Sequence, residues 1–135
     1  MSEVVKNRPR YGVMRLIDAT GYRLPLAGIV SILHRISGML MFLLLPFILF
    51  LLDKSVTSEV SFSELQALTS GVFVKSVILA LVWAFLHHFC AGIRHLIMDL
   101  HYGLDKHSAR KSAVSVLAVS ITLAALVALK LFGVF

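Results

Sequence analysis

The sequence predicts an all-α fold: an integral membrane three-helix bundle preceded by an amphipathic N-terminal arm on the cytoplasmic side. Three observations carry that prediction. First, 59% of the 135 residues are hydrophobic and the mean hydropathy is +0.90, well above the roughly 45–50% apolar content of a soluble domain. Second, the excess is gathered into three long stretches, each near the about 20 residues that a spanning helix needs. Third, the formal charge of +6 collects at alternate ends of those stretches. Backbone groups in lipid must be satisfied inside their own segment, so the stretches are helices.

The arm, Met1 to about Gly28, carries Lys6, Arg8, Arg10, Arg15 and Arg23. Tyr11, Val13, Met14, Leu16 and Ile17 are interspersed with Arg10, Arg15 and Asp18, a weak amphipathic pattern of an interfacial segment. Gly21 and Pro25 argue against one continuous helix into the membrane, and Pro25 suits a helix start. The arm has no short apolar run with a small-residue cleavage site, so it does not read as a cleavable signal peptide, nor is there a clear transit-peptide pattern. That favours a bacterial inner membrane over a mitochondrial one.

The first spanning helix is expected over about 29–52, with Pro46 removing a backbone donor and able to kink its outer half. The loop from Asp53 to Gly71 holds only Lys54 as a cation. Its Ser61-Phe62-Ser63-Glu64 run is a capping-box pattern, so one or two helical turns are expected there. The second helix is expected over about 72–98, with Lys75 near one end and Arg94 near the other. The following loop, Asp99 to Ser112, carries Lys106, Arg110 and Lys111. The third helix is expected over about 113–134, where Lys130 can snorkel outward. The whole chain, 1–135, reads as a single transmembrane anchor domain. By the positive-inside rule the N-terminus and second loop face the cytoplasm, or the matrix in an organelle. The charge is thus topological and no nucleic-acid signal. Membrane lipid surrounds such a bundle, and partner subunits are expected to complete it. The one cysteine, Cys90, allows no intrachain disulfide and reads as a small apolar filler.

Two constellations carry chemistry, because ionisable groups in hydrocarbon are costly and tend to mark a site. Ser31, Arg35 and Gly38 stand at i, i+4 and i+7 on one face of the first helix, and His34 borders it. A hydroxyl, an imidazole and a guanidinium thus meet near the basic boundary, with Gly38 leaving room for a ligand or a close helix. The same spacing also fits an Arg35 that snorkels to headgroups and a Ser31 that bonds its own backbone. On the second helix His88 and His95 share one side, with Gly92 between them as a gap that admits a flat macrocycle. His88 lies about 16 Å from Asp99 at about 1.5 Å per residue, near mid-membrane. His87 points about 100° away from His88, towards lipid-side packing or a partner. Neutral imidazole is a haem-iron ligand, and His34, Arg35 and His95 lie where haem propionates would need partners. The alternative is that His88 is simply a buried, neutral, hydrogen-bonded histidine. Zinc is less favoured, because Cys90 lies on another face and the spacing is no compact Cys/His site.

These residues resemble a known family. Ser31-Ile-Leu-His-Arg-Ile-Ser-Gly38 resembles the Ser-x-x-His-Arg-x-Ser/Thr-Gly motif that opens the first membrane helix of the succinate dehydrogenase cytochrome b subunit. His88 and His95, with Gly92-Ile-Arg-His-Leu-Ile-Met-Asp99, resemble its second signature, and Arg8-Pro9 resembles its Arg-Pro pair before the first helix. Three helices, length and charge topology also fit. The arm departs after Arg8-Pro9: many members continue Leu-Ser-Pro-His-Leu, where this chain reads Arg10-Tyr11-Gly12-Val13. The resemblance implies the larger of two membrane anchors of complex II, working in electron transport and the tricarboxylic acid cycle. It implies a second membrane-anchor subunit, an iron–sulfur subunit and a flavoprotein subunit as partners. It also implies haem b shared with the second anchor and ubiquinone as substrate. The implied positions are His88 as axial haem ligand, Ser31 and Arg35 at the quinone, and His34, Arg35 and His95 near the propionates. The chain has no nucleotide-binding motif and no cysteine set for clusters, so alone it would not oxidise succinate. Two rival readings are the equivalent anchor of a fumarate reductase and a small structural or transport bundle without haem.

Overall fold

A computed structural model describes Gly12, Ile17, Gly21 and residues 23–133. The arm's amphipathic pattern, its Arg8-Pro9 pair and the last residues of the third stretch fall outside the described residues, Gly12 and Ile17 apart. Among the described residues there are five α-helices and no strand: α1 (Leu26–Leu43), α2 (Leu45–Thr57), α3 (Glu59–Ser70), α4 (Val72–Asp99) and α5 (Lys106–Leu131). Three of them, α1, α4 and α5, are long and apolar enough to cross a membrane, and they pack against one another as a bundle. The protein is a multi-pass membrane protein.

The first apolar stretch is two helices. Pro46 lacks an N–H, and its ring crowds the carbonyl four residues earlier, so the helix breaks ahead of it. Leu44 takes φ −93° and ψ 4° at the junction, and α2 then runs on to Thr57. The loop helix α3 is longer than one or two turns, and its cap lies three residues earlier than expected. Ser58 is the N-cap: its hydroxyl accepts from the Ser61 N–H, while the Ser61 hydroxyl accepts from the Ser58 N–H. The Ser61 run was the right chemistry in the wrong register, because Ser61 serves as the third helical residue. Lys54 and Glu64 pair across α2 and α3.

Helix α5 starts at Lys106 rather than near Ala113. Asp105 is its N-cap and accepts from the backbone N–H groups of His107 and Ser108. The Ser108 N–H, then its hydroxyl, and the His107 N–H hold the Asp105 carboxyl below its ordinary value. A depressed folded value means the cap contributes fully above the ordinary carboxylate range. That contribution is lost as the medium is acidified through the lowered value.

Helix α4 ends in a Schellman motif. The His101 N–H bonds the Met98 carbonyl and the Tyr102 N–H bonds the Ile97 carbonyl, with His101 at φ +64°. Glycine is usual at this left-handed position. Relief of the side-chain penalty outweighs the extra freedom glycine has when unfolded, so His101→Gly is expected to stabilise by up to about 1 kcal/mol. Thermal unfolding of the purified protein would register this as a raised midpoint.

The bundle core is built from small residues, which let membrane helices approach closely. Val30, Ala91, Ala113 and Val116 form one buried cluster across α1, α4 and α5. On α4 the buried positions Leu81, Ala84, His87, Ala91 and Arg94 recur at three and four residues and make one stripe. Ser120 and Ala124 are buried on α5. At one end Lys75 of α4 sits over the Phe132 ring that follows α5. At the other, Arg23 and Leu26 line one groove with Lys106 and Arg110. The helices therefore alternate in direction, with the starts of α1 and α5 at the same end.

Candidate functional site

Three imidazoles meet between α1 and α4. The ring of His34 stacks on that of His88, with centroids 4.0 Å apart and planes 20° apart. His95 lies on the other side, 5.1 Å from His34 and tilted by 45°. All three residues are half-buried. The seven-residue spacing of His88 and His95 leaves room for His34 to enter from α1, because Gly92 between them has no side chain. A Cβ at Gly92 would lie 3.7 Å from His34 Nε2, an ordinary contact.

The hydrogen bonds of His88 settle its protonation pattern. Its Nδ1 lies 3.0 Å from the His34 backbone carbonyl. A carbonyl can only accept, so Nδ1 carries the proton. Ser37 Oγ, 3.3 Å from the same nitrogen, gives its own proton to the His34 carbonyl at 2.8 Å and so also accepts. Two acceptors hold one N–H, which fixes the ring and leaves Nε2 with its lone pair. No hydrogen bond reaches that Nε2 among the described residues. A carbonyl or hydroxyl partner on the far nitrogen is the usual support of a metal-bound histidine. Gly38 makes this approach sterically allowed: a Cβ there would sit 2.9 Å from His88 Cε1 and 3.2 Å from its Nδ1.

Ser31 and Arg35 stand one turn apart on α1, beside this cluster. Ser31 is half-buried and Arg35 exposed. Neither makes a hydrogen bond or ion pair among the described residues, so both keep their donors for a partner or ligand. Sequence spacing placed His34 only at the border of the site, whereas the structure puts it in the middle of the imidazole row. Ser37 was missed. It is fully buried, and its place three residues after His34 was the available signal.

His87 corrects the expected lipid-side or partner-facing position. It is 0% exposed and turned into the bundle. Ser120 Oγ gives its proton to the Leu117 carbonyl and stands 3.4 Å from His87 Nδ1, which therefore donates to it. The ring stacks on Trp83 with centroids 5.5 Å apart. The Val30 carbonyl faces the ring, but Nε2 has no partner in hydrogen-bonding geometry among the described residues. The physical reason is the stripe that runs through Ala84, His87 and Ala91: α5 covers it, while His88 and His95 fall at its edge.

The fold and this site define a class: a small membrane-spanning helical bundle that presents a tautomer-fixed imidazole at the edge of its interior. The chain is similar to the succinate dehydrogenase cytochrome b556 subunit of Coxiella burnetii, 39% identical over 77% of this chain and 84% of that protein. It is similar also to the same-named subunits of Paracoccus denitrificans, at 35% identity over 82% of this chain and 85% of that one, and of Rickettsia prowazekii, at 30% identity over 77% and 81%. The family model described as the succinate dehydrogenase/fumarate reductase transmembrane subunit matches residues 7–127. The chain belongs to that family. Membership removes the rival reading of a structural or transport bundle, and the relatives' names favour succinate dehydrogenase over fumarate reductase.

Proposed function

We propose that this chain is the haem b- and ubiquinone-binding membrane anchor of a bacterial succinate dehydrogenase. It acts with a second anchor subunit, an iron–sulfur subunit and a flavoprotein subunit. The N-terminus faces the cytoplasm, a reading supported by the basic residues gathered where α1 and α5 start. The observation that carries the reading is the unpartnered Nε2 of His88, whose Nδ1 is held by the His34 carbonyl and the Ser37 hydroxyl.

The residues fit the haem they would hold. His88 would hold the haem iron through its Nε2 at the edge of the bundle, since its Nδ1 is engaged by the His34 carbonyl and Ser37, and the second anchor subunit would supply the other ligand. His34, Arg35 and His95 offer donors for the propionates. When bound, haem b supplies a one-electron relay. The chain's own side chains do the rest. Ser31 donates a hydrogen bond to a ubiquinone carbonyl, and Arg35 stabilises negative charge as that oxygen gains electrons. Reduction to the quinol takes two electrons, which enter from the iron–sulfur subunit, and two protons. A guanidinium does not give up its proton in proteins, so the protons come from water at the boundary, with Ser31 as a relay.

Ser31→Ala and Arg35→Ala test the assignment in the purified complex. Loss of a donor aimed at developing oxygen charge costs about 10²–10³ in rate at other enzymes. A fall of at least about tenfold in ubiquinone reduction is therefore expected, with succinate oxidation by an artificial dye acceptor unchanged. Unaltered quinone rates in both variants would remove these residues from the site.

A further inference from the structure

Arg94 is a cation that meets no anion among the described residues. It is 5% exposed, and its Nε bonds the Ser112 hydroxyl at 3.0 Å while one terminal nitrogen bonds the Ala109 carbonyl at 3.4 Å. Both acceptors are neutral. No carboxylate reaches it among the described residues, and its other terminal nitrogen makes no hydrogen bond there. A buried charge is costly unless it is neutralised, and in a membrane segment an unpaired one is a site by default. Arg94 also lines a cavity of about 380 Å³ between α4 and α5. That volume is within the range of small-ligand pockets, which are mostly apolar with a few placed polar groups. The wall fits that description: Cys90, Ile93, Ile97, Met98 and Val116 supply it, and Tyr102 borders the end towards the α4–α5 turn.

The occupant must bring a negative head and a single apolar body. A small inorganic anion leaves the wall uncovered. A neutral quinone leaves the charge unbalanced. We propose that this cavity binds a single-chain anionic amphiphile, a fatty-acid carboxylate, with its head on the Arg94 guanidinium and its acyl chain along Ile93, Ile97 and Met98. The site is separate from the imidazole row, since Arg94 belongs to the stripe that faces α5.

The test uses the detergent-purified complex and stearic acid that carries a nitroxide, read by electron paramagnetic resonance. A motionally restricted component is expected, displaced by unlabelled stearate. Methyl stearate, which has no charge, should compete at least about tenfold less well, a difference of about 1.4 kcal/mol. Arg94→Gln should weaken the probe by a similar factor. That variant also removes a tie between α4 and α5 and can fail to assemble. Met98→Trp keeps Arg94 and fills the cavity instead. It should lose the restricted component while keeping the haem band and dye-coupled succinate oxidation. Equal competition by acid and ester, an unchanged signal in Met98→Trp, or better displacement by decylubiquinone or a diacyl phosphatidylglycerol than by stearate would overturn the proposal.

Discussion

In the purified complex, His88→Ala is expected to abolish the b-type absorbance band that dithionite reduction develops. The loss should be complete, because the methyl group cannot ligate iron and, among the described residues, neither His34 nor His95 has the ring-nitrogen support that the His34 carbonyl and Ser37 give His88. The neighbouring variants make the outcome specific. His34→Ala removes the stacked ring but keeps the backbone carbonyl that holds His88 Nδ1, so the band should survive, weakened. Ser37→Ala removes one of two acceptors on that nitrogen. The usual worth of a group that supports a metal ligand from behind is about 10–100-fold in affinity, so a raised haem dissociation rate is expected. Flavin and iron–sulfur content in the same preparations report whether the complex assembled. A full band in His88→Ala would show that another residue holds the haem.

The ranking of those variants depends on what the sequence could disclose. The three membrane helices were legible because uncharged apolar length is a direct consequence of bilayer thickness. His88 stood out in the sequence because an imidazole in hydrocarbon is costly and therefore informative. Ser37 was not. Serine in a membrane helix commonly bonds a carbonyl of the preceding turn, and Ser37 does that with His34. Only the arrival of His88 from α4 turns the local bond into support for a cross-helix one. His87 failed for a related reason. Helical spacing gives the angle between two residues, but not which direction is the interior. That direction depends on where α5 lies, and Ser120 shows that it lies on the His87 side. Sequence placed Arg94 only near one end of the second stretch, whereas its bonds to Ser112 and Ala109 put it inside the α4–α5 contact.

Boundaries slipped where a cap competed with the apolar run. Asp105 starts α5 well before the hydrophobic residues begin, because a first turn of Lys106, His107 and Ser108 needs only a cap and exposure to solvent. The α3 start moved from Ser61 to Ser58 on the same chemistry. Both shifts fall at helix starts away from the imidazoles and leave that site unmoved. The break at Leu44 also lies beyond the imidazoles, so His34, Ser37 and Gly38 keep one regular helix and one register against α4.

That register makes Gly38 the position where the smallest change should have a large effect. Both Gly38 and Gly92 occupy helix interiors, where alanine is favoured over glycine by about 1 kcal/mol. Propensity alone therefore predicts the same small stabilisation for either Gly→Ala change. Sterics separate them. At Gly92 the added methyl meets His34 Nε2 at 3.7 Å and fits. At Gly38 it meets His88 at 2.9 Å, and the ring cannot simply swing away, since its Nδ1 is bonded to the turn of α1 that also carries Gly38. Either that hydrogen bond breaks or the helices part. Overpacking of this kind costs about 1–3 kcal/mol, which exceeds or cancels the helical gain. Gly38→Ala should thus give an assembled complex with a markedly lower haem-to-flavin ratio and a shifted reduced band, and Gly38→Val one without haem. Gly92→Ala should keep the ratio of the unmodified complex. Haem loss confined to Gly92→Ala would mean that the macrocycle rests on Gly92, and that the close approach of His88 to Gly38 serves only to pack α1 against α4.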